Sequence, residues 1–232
     1  MAAWFFELVG DAADLEQMAK LFEVGAVQVV KRDDGKFWMR SADLDAIIDH
    51  RDAREVAEPA LKMLNGISGL RVANTGRASL GSAVHVDDAG KLNIVVFVTG
   101  IAATTRTGMV GVLIDGKPVP PKEDAILTIA LRYPAVDQVL RLYGSREPDW
   151  RDLYFILTAV EAEIGGKVSK RGWISDKERT RFTRTANSKH AIGDFARHGE
   201  DIPAPDHPYT LPDARQLIRG IVERWIQEKM GT

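Results

Sequence analysis

The chain reads as an α+β protein, with a mixed N-terminal part carrying antiparallel strands and hairpins and a bundle-like helical C-terminal part. Three observations predict this. Apolar runs of strand length alternate with Asp/Gly turn signals through the first 132 residues; the strand signal stops at Tyr133-Pro134; beyond it, apolar residues recur three and four apart. The expected division is a mixed domain over 1–132 and a helical domain over 133–232, each long enough to bury its own core.

The elements follow in order. Trp4 to Val9 is aromatic and aliphatic enough for a strand, and Asp11 is placed to cap a helix carrying Leu15, Met18 and Phe22, with Gly25 to end it. Val27, Val29, Phe37 and Trp38 flank Asp33-Asp34-Gly35, a tight-hairpin signal. Ser41 or Asp43 is placed to cap a helix running through Leu44, Ile47, Ile48, Val56, Leu61 and Leu64 to a stop at Asn65-Gly66, with a kink or restart near Glu58 because Pro59 removes a backbone donor.

Strands are then expected at Leu70–Ala73, Ala83–Val86, Leu92–Val98, Gly108–Ile114 and Ala125–Leu131. Asp87-Asp88-Ala89-Gly90 and Asp115-Gly116 supply reversals that favour antiparallel pairing, and Pro118, Pro120 and Pro121 a stiff surface connection.

In the second part, Ala135 to Tyr143 makes a short helix ending at Gly144. A longer one begins behind Asp149, with Trp150, Leu153, Leu157, Val160 and Ile164 on its core face before Gly165-Gly166. Ser175-Asp176-Lys177-Glu178 is a capping-box pattern opening a helix through Phe182 and Ala186. Ile202 to Pro208, with three prolines, reads as an ordered loop. The last helix starts near Thr210, with Pro212 in its first turn, and buries Ala214, Leu217, Ile218, Ile221, Val222, Trp225 and Ile226.

Composition narrows the chemistry. No cysteine occurs, which removes disulfides, thiolate metal sites and cysteine nucleophiles, and the first residues lack a basic leader, so a cytoplasmic protein without membrane attachment is expected. Glycine-rich phosphate loops, a nucleophile elbow and helical histidine pairs at metal spacing are absent, and neither a metal nor a cofactor is expected. The nearest approach to a ligand cluster is His85, Asp87 and Asp88, on a hairpin and its turn. The tryptophans are read as packing residues: Trp4 and Trp38 on strands, Trp150, Trp173 and Trp225 in the helical part.

Charge is unevenly spread. The chain carries −2 overall, yet between Lys167 and His198 nine basic residues, among them Lys177, Arg181, Lys189 and Arg197, face only Asp176, Glu178 and Asp194. Such an island can mark an anion or nucleic-acid contact. Within it, Arg181 to His190 holds few apolar residues for a helix between two apolar ones. In a continuous helix Arg184, Asn187 and His190 follow at three-residue steps, so successive members touch, and Asp194 and His198 follow His190 at four-residue steps. Arginine gives a phosphate a permanent charge and forked donors, asparagine orients by hydrogen bonding, and histidine moves protons near neutral pH. The alternative for the same residues is a solvated polar face, with Arg197-His198 complementing the negative end of a helix before Gly199.

Phe182-Thr183-Arg184-Thr185-Ala186-Asn187, then Gly193-Asp194-Phe195-Ala196-Arg197-His198, and a proline loop before a Trp-bearing terminal helix resemble an uncharacterised bacterial protein family of about this length. Its helical half is in turn similar to HEPN domains, helical modules of toxins and phage-defence proteins, many of them metal-independent ribonucleases. The HEPN hallmark is an arginine, usually followed directly by a polar residue such as Asn, with a histidine four to six residues on. Arg184 and His190 fit that spacing, although Thr185 stands directly after the arginine and Asn187 comes later. The resemblance implies that His190 handles the proton of a ribose 2′-hydroxyl while Arg184 stabilises charge on the scissile phosphate, with Arg197 and His198 assisting. Two alternative functions are therefore expected: an RNA-directed module, with ribonuclease activity as its catalytic form, or a non-catalytic scaffold that binds a protein partner or a second copy of itself.

Overall fold

A computed structural model describes residues 3–71, 76–86, 92–95, 122–145, 147–196 and 202–231. The fold is α+β, and the chain divides into two compact units, Met1–Arg132 and Tyr133–Thr232.

The first unit is built on an antiparallel five-stranded sheet of order β2-β3-β1-β4-β5, from β1 (Ala3–Val9), β2 (Val27–Lys31), β3 (Phe37–Ser41), β4 (Ser79–Val86) and β5 (Leu92–Val95). Central β1 alternates: Trp4, Phe6 and Leu8 are buried, and Phe6 lies opposite Met39 on one side and Ala83 on the other. The β1–β4 register slips by one residue between Phe6 and Leu8, where β4 carries Gly81. A Cβ at Gly81 would come within 2.8 Å of Val9 Cγ2, so the bulge depends on the missing side chain. The β2–β3 hairpin turns at Asp33-Asp34-Gly35, with Gly35 at φ +80.

Helix α1 (Ala12–Leu21) is capped by Asp11, whose carboxylate accepts from the Ala13 and Asp14 amides, and packs on β2 and β3; α2 (His50–Arg71) packs on β4. The helix expected from Ser41 onward begins later. Ser41 caps a single 3₁₀ turn, Ala42–Leu44, α2 starts at His50, and Ile48, expected on its apolar face, is 91% exposed in the intervening loop. Val56 is exposed as well. The helix is continuous through Pro59, with Glu55, four residues earlier, exposed, so water can satisfy the carbonyl that loses its donor.

The expected stop at Asn65-Gly66 is also corrected. Both residues are buried inside α2, and the Asn65 amide serves the Ala78 backbone twice: Nδ2 donates to Ala78 O at 2.9 Å, and Oδ1 accepts from Ala78 N at 3.0 Å. The asparagine answers to a partner thirteen residues away, not to a turn. Leu70 and Arg71, expected to begin a strand, end α2 instead. Residues 125–131, likewise read as a strand, lie in helix α3 (Lys122–Arg132): Ile126, Leu127 and Ala130 are buried while Ala125, Thr128 and Leu131 are exposed, a helical period. Short apolar runs fit either period, and here tertiary burial decides. The expected strand Gly108–Ile114, the end of Leu92–Val98 and the turn residues at 87–90, 115–116 and 118–121 lie outside the described residues.

The second unit contains α4 (Pro134–Ser145), α5 (Trp150–Glu163), a 3₁₀ turn at Val168–Arg171, α6 (Asp176–Asn187), the short α7 (Lys189–Ile192), a 3₁₀ turn at Gly193–Phe195, and α8 (Leu211–Met230). Asp149 with Asp152 and Ser175 with Glu178 form reciprocal capping boxes, and the Thr210 hydroxyl caps α8 by accepting from Asp213 N. Val139 and Leu140 of α4, Leu153, Ile156 and Val160 of α5, Phe182 of α6 and Ile218, Ile221 and Trp225 of α8 are buried. Trp150 packs on Phe182 with ring centroids 6.2 Å apart. Among the described residues, no helix is long and apolar enough to cross a membrane.

Candidate functional site

The basic island centres on α6. Its start is fixed by the Ser175 box and favoured by Asp176 and Glu178 in the first turn, which complement the helix dipole. Its inward face holds Phe182, Thr185 and Ala186, and the helix ends at Asn187 because Ser188 is extended (φ −97, ψ 118). This corrects the continuous-helix expectation: His190 lies on α7, and the three-residue step from Asn187 to His190 does not run along one helix.

The reason for the break is visible in its partners. Ser188 is fully buried, and its hydroxyl donates to Ile202 O at 2.7 Å. Thr185, also fully buried, donates to Arg181 O at 2.8 Å and accepts from Tyr209 N at 3.2 Å. The Arg181 guanidinium lies over the Tyr209 ring, 3.7 Å from its centroid, and Arg184 Nη2 reaches Pro203 O at 3.5 Å. The polar composition of 181–188 thus serves the structure, because it straps the proline loop, residues 202–209, to α6. Burial raises the Tyr209 hydroxyl above its ordinary pKa, against a lowering by Arg181.

Several cations of the island are occupied within the unit. Arg179 makes a two-pronged ion pair with Glu161, with Nε and Nη2 each donating at 2.6 Å, and Glu161 also accepts from Val168 N at 3.0 Å. Burial raises the Glu161 carboxyl, yet the Arg179 guanidinium and the Val168 amide outweigh it and hold the pKa below the usual value. Arg171 pairs with Glu228 at 3.1 Å. Lys167, Lys170, Lys177, Arg184 and Lys189 remain exposed, with no ion pair among the described residues.

The sequence candidates therefore separate. Lys177, Arg181 and Arg184 occupy positions i, i+4 and i+7 of α6 and form one stripe, with Lys189 and His190 exposed just beyond the break. Asn187 is half-buried, its Oδ1 sealed from solvent without a hydrogen bond. Arg197 and His198 lie outside the described residues. In the first unit His85 stacks on Trp4 at 4.6 Å, while Asp87 and Asp88 lie outside the described residues. Among the described residues no cluster of histidine and acidic side chains is arranged to hold a metal.

Glu161, Thr185, Ser188 and Tyr209 carry this arrangement, and sequence reasoning does not single them out. The one signal pointing toward them is the shortage of apolar residues in 181–190, which marks a helix held by something other than packing. Fold and surface together define an α+β protein whose helical unit bears a cationic stripe beside a strapped proline loop. Compared with known protein families, characterised proteins and solved structures, the chain matches none of them.

Proposed function

We propose that the helical unit is a cytoplasmic RNA-directed module that holds a phosphate backbone along α6. The observation that supports this is the stripe Lys177, Arg181 and Arg184, continued by exposed Lys189 and His190. Among the described residues, Lys177, Arg181, Arg184 and Lys189 make no ion pair with a carboxylate. Cations without a carboxylate ion pair on one helix face release counterions when they meet phosphates, the main source of sequence-independent nucleic-acid affinity, and of these Arg181 feels a carboxylate on its own helix, Glu178 one turn earlier. The HEPN-like extension assigns His190 to the 2′-hydroxyl proton and Arg184 to the phosphate charge, without a metal. Incubating the protein with mixed RNA in chelator, beside His190→Ala, tests it: cleavage by the parent alone is expected, and equal cleavage by both removes His190 from the mechanism. Binding without cleavage by either leaves a non-catalytic RNA module.

The alternative is a non-catalytic scaffold that binds a protein partner or a second copy of the chain. Light scattering with RNA titration separates the two: a stable oligomer indifferent to RNA and to salt contradicts the RNA reading.

A further inference from the structure

Arg181 differs from the other described arginines of the island. Arg171 and Arg179 are neutralised by Glu228 and Glu161, and Arg184 is an exposed side chain touching one carbonyl at 3.5 Å. Arg181 is half-buried, makes neither a hydrogen bond nor an ion pair with its guanidinium among the described residues, and places its guanidinium carbon over the Tyr209 ring, 3.7 Å from the centroid. Its Nε is sealed from solvent without an acceptor, and the two Nη groups, which make no hydrogen bond among the described residues, are the donors left for a ligand.

An arginine stacked on an aromatic ring keeps its in-plane donors while losing its rotational freedom, so the entropy of ordering a long flexible side chain is already spent before a ligand arrives. Two coplanar Nη donors match two oxygens of one phosphate. Tyr209 is itself fixed, because its amide donates to buried Thr185 and Thr210 after it caps α8. The ring and the helix that carries Arg181 are therefore joined at two points.

We infer that Arg181 is the principal phosphate contact of the stripe, a preorganised end-on fork for an RNA phosphodiester set by Tyr209, with Lys177 and Arg184 adding charge on either side. This rests on the RNA reading above. A lysine at this position keeps the charge but loses both the fork and the stack.

The test is the affinity of the full chain for a single-stranded RNA oligonucleotide of mixed sequence, with thermal melts to confirm folding. Arg181→Lys is expected to weaken binding about tenfold, the equivalent of losing one charge-assisted fork. Tyr209→Leu, which removes the ring under the guanidinium, should fall with Arg181→Lys, and parent-like affinity in it would deny Tyr209 the setting of the fork. Parent-like affinity in Arg181→Lys overturns the assignment and leaves Arg181 as a clamp on the loop. A parent chain that ignores RNA overturns the module itself, a separate failure. Displacement of RNA by polyglutamate at equal charge overturns the phosphate fork in favour of an acidic protein partner.

Discussion

Helices α6 and α8 belong to one unit and are held in it by different forces. Of α8, Ala214, Ile218, Ile221, Val222, Trp225 and Ile226 are buried, and each large side chain contributes about 1.5–3 kcal/mol by leaving water. Of α6, only Phe182, Thr185 and Ala186 are buried; its further attachment includes the Arg179–Glu161 pair, the Ser169–Asp176 hydrogen bond, the contacts of Thr185, Arg184 and the following Ser188 with the loop, and the Arg181–Tyr209 contact. A helix fixed largely by polar contacts needs little apolar surface, so its remaining positions are open to charge. The difference separates a helix whose sequence is explained by packing from one whose cations are left over after packing is accounted for.

Three substitutions probe the two modes of attachment separately. Trp225→Ala in α8 should cost about 3–5 kcal/mol, since the side chain is fully buried, and a urea unfolding midpoint reads it directly. A loss below about 1 kcal/mol would deny α8 its apolar role.

Glu161→Gln comes next, at about 1.5–3 kcal/mol near neutral pH, because Arg179 loses the ionised partner of a two-pronged bond. The pH dependence has a definite sign. The folded carboxyl titrates below its ordinary range, so the stability it supplies is present above the unfolded value and is lost as pH falls through the folded one. Parent and variant should therefore converge in acid, and a gap that persists unchanged there would show that the carboxylate charge is not what holds Arg179.

Ser188→Ala should be the mildest, at about 1 kcal/mol, through the lost bond to Ile202 O. Its signature is local: amide exchange at Tyr209 should accelerate while the α8 core amides keep their protection. Unchanged exchange at Tyr209 would mean that the strap does not depend on this hydroxyl.

What sequence can show here follows from how far away the deciding partner lies. The Asp11 cap, the Gly35 turn, the Ser175–Glu178 box and the Thr210 cap are legible because each is closed by residues within four positions. Asn65 misleads because its partner, Ala78, is distant in sequence, and 125–131 because burial of Ile126, Leu127 and Ala130 fixes the period. The candidate site is legible as a set of residue types, with Lys177, Arg181, Arg184 and Lys189 all conspicuous in the basic island. Their standing is not, since only the fold shows Arg179 consumed by Glu161 and Arg181 laid on Tyr209, eighteen and twenty-eight positions away. The break at Ser188 has no local signal, because serine is read as a helix interrupter only once its acceptor, Ile202 O, is known.

The most direct test is the salt dependence of binding to single-stranded RNA, measured for the parent and for Lys177→Met/Lys189→Met. Removing two phosphate contacts should reduce the slope of log K against log salt by about 1.4 while leaving the unfolding midpoint unchanged. Identical slopes in the two proteins would mean that the exposed cations of α6 and the start of α7 meet no phosphate backbone, contrary to the RNA-directed reading.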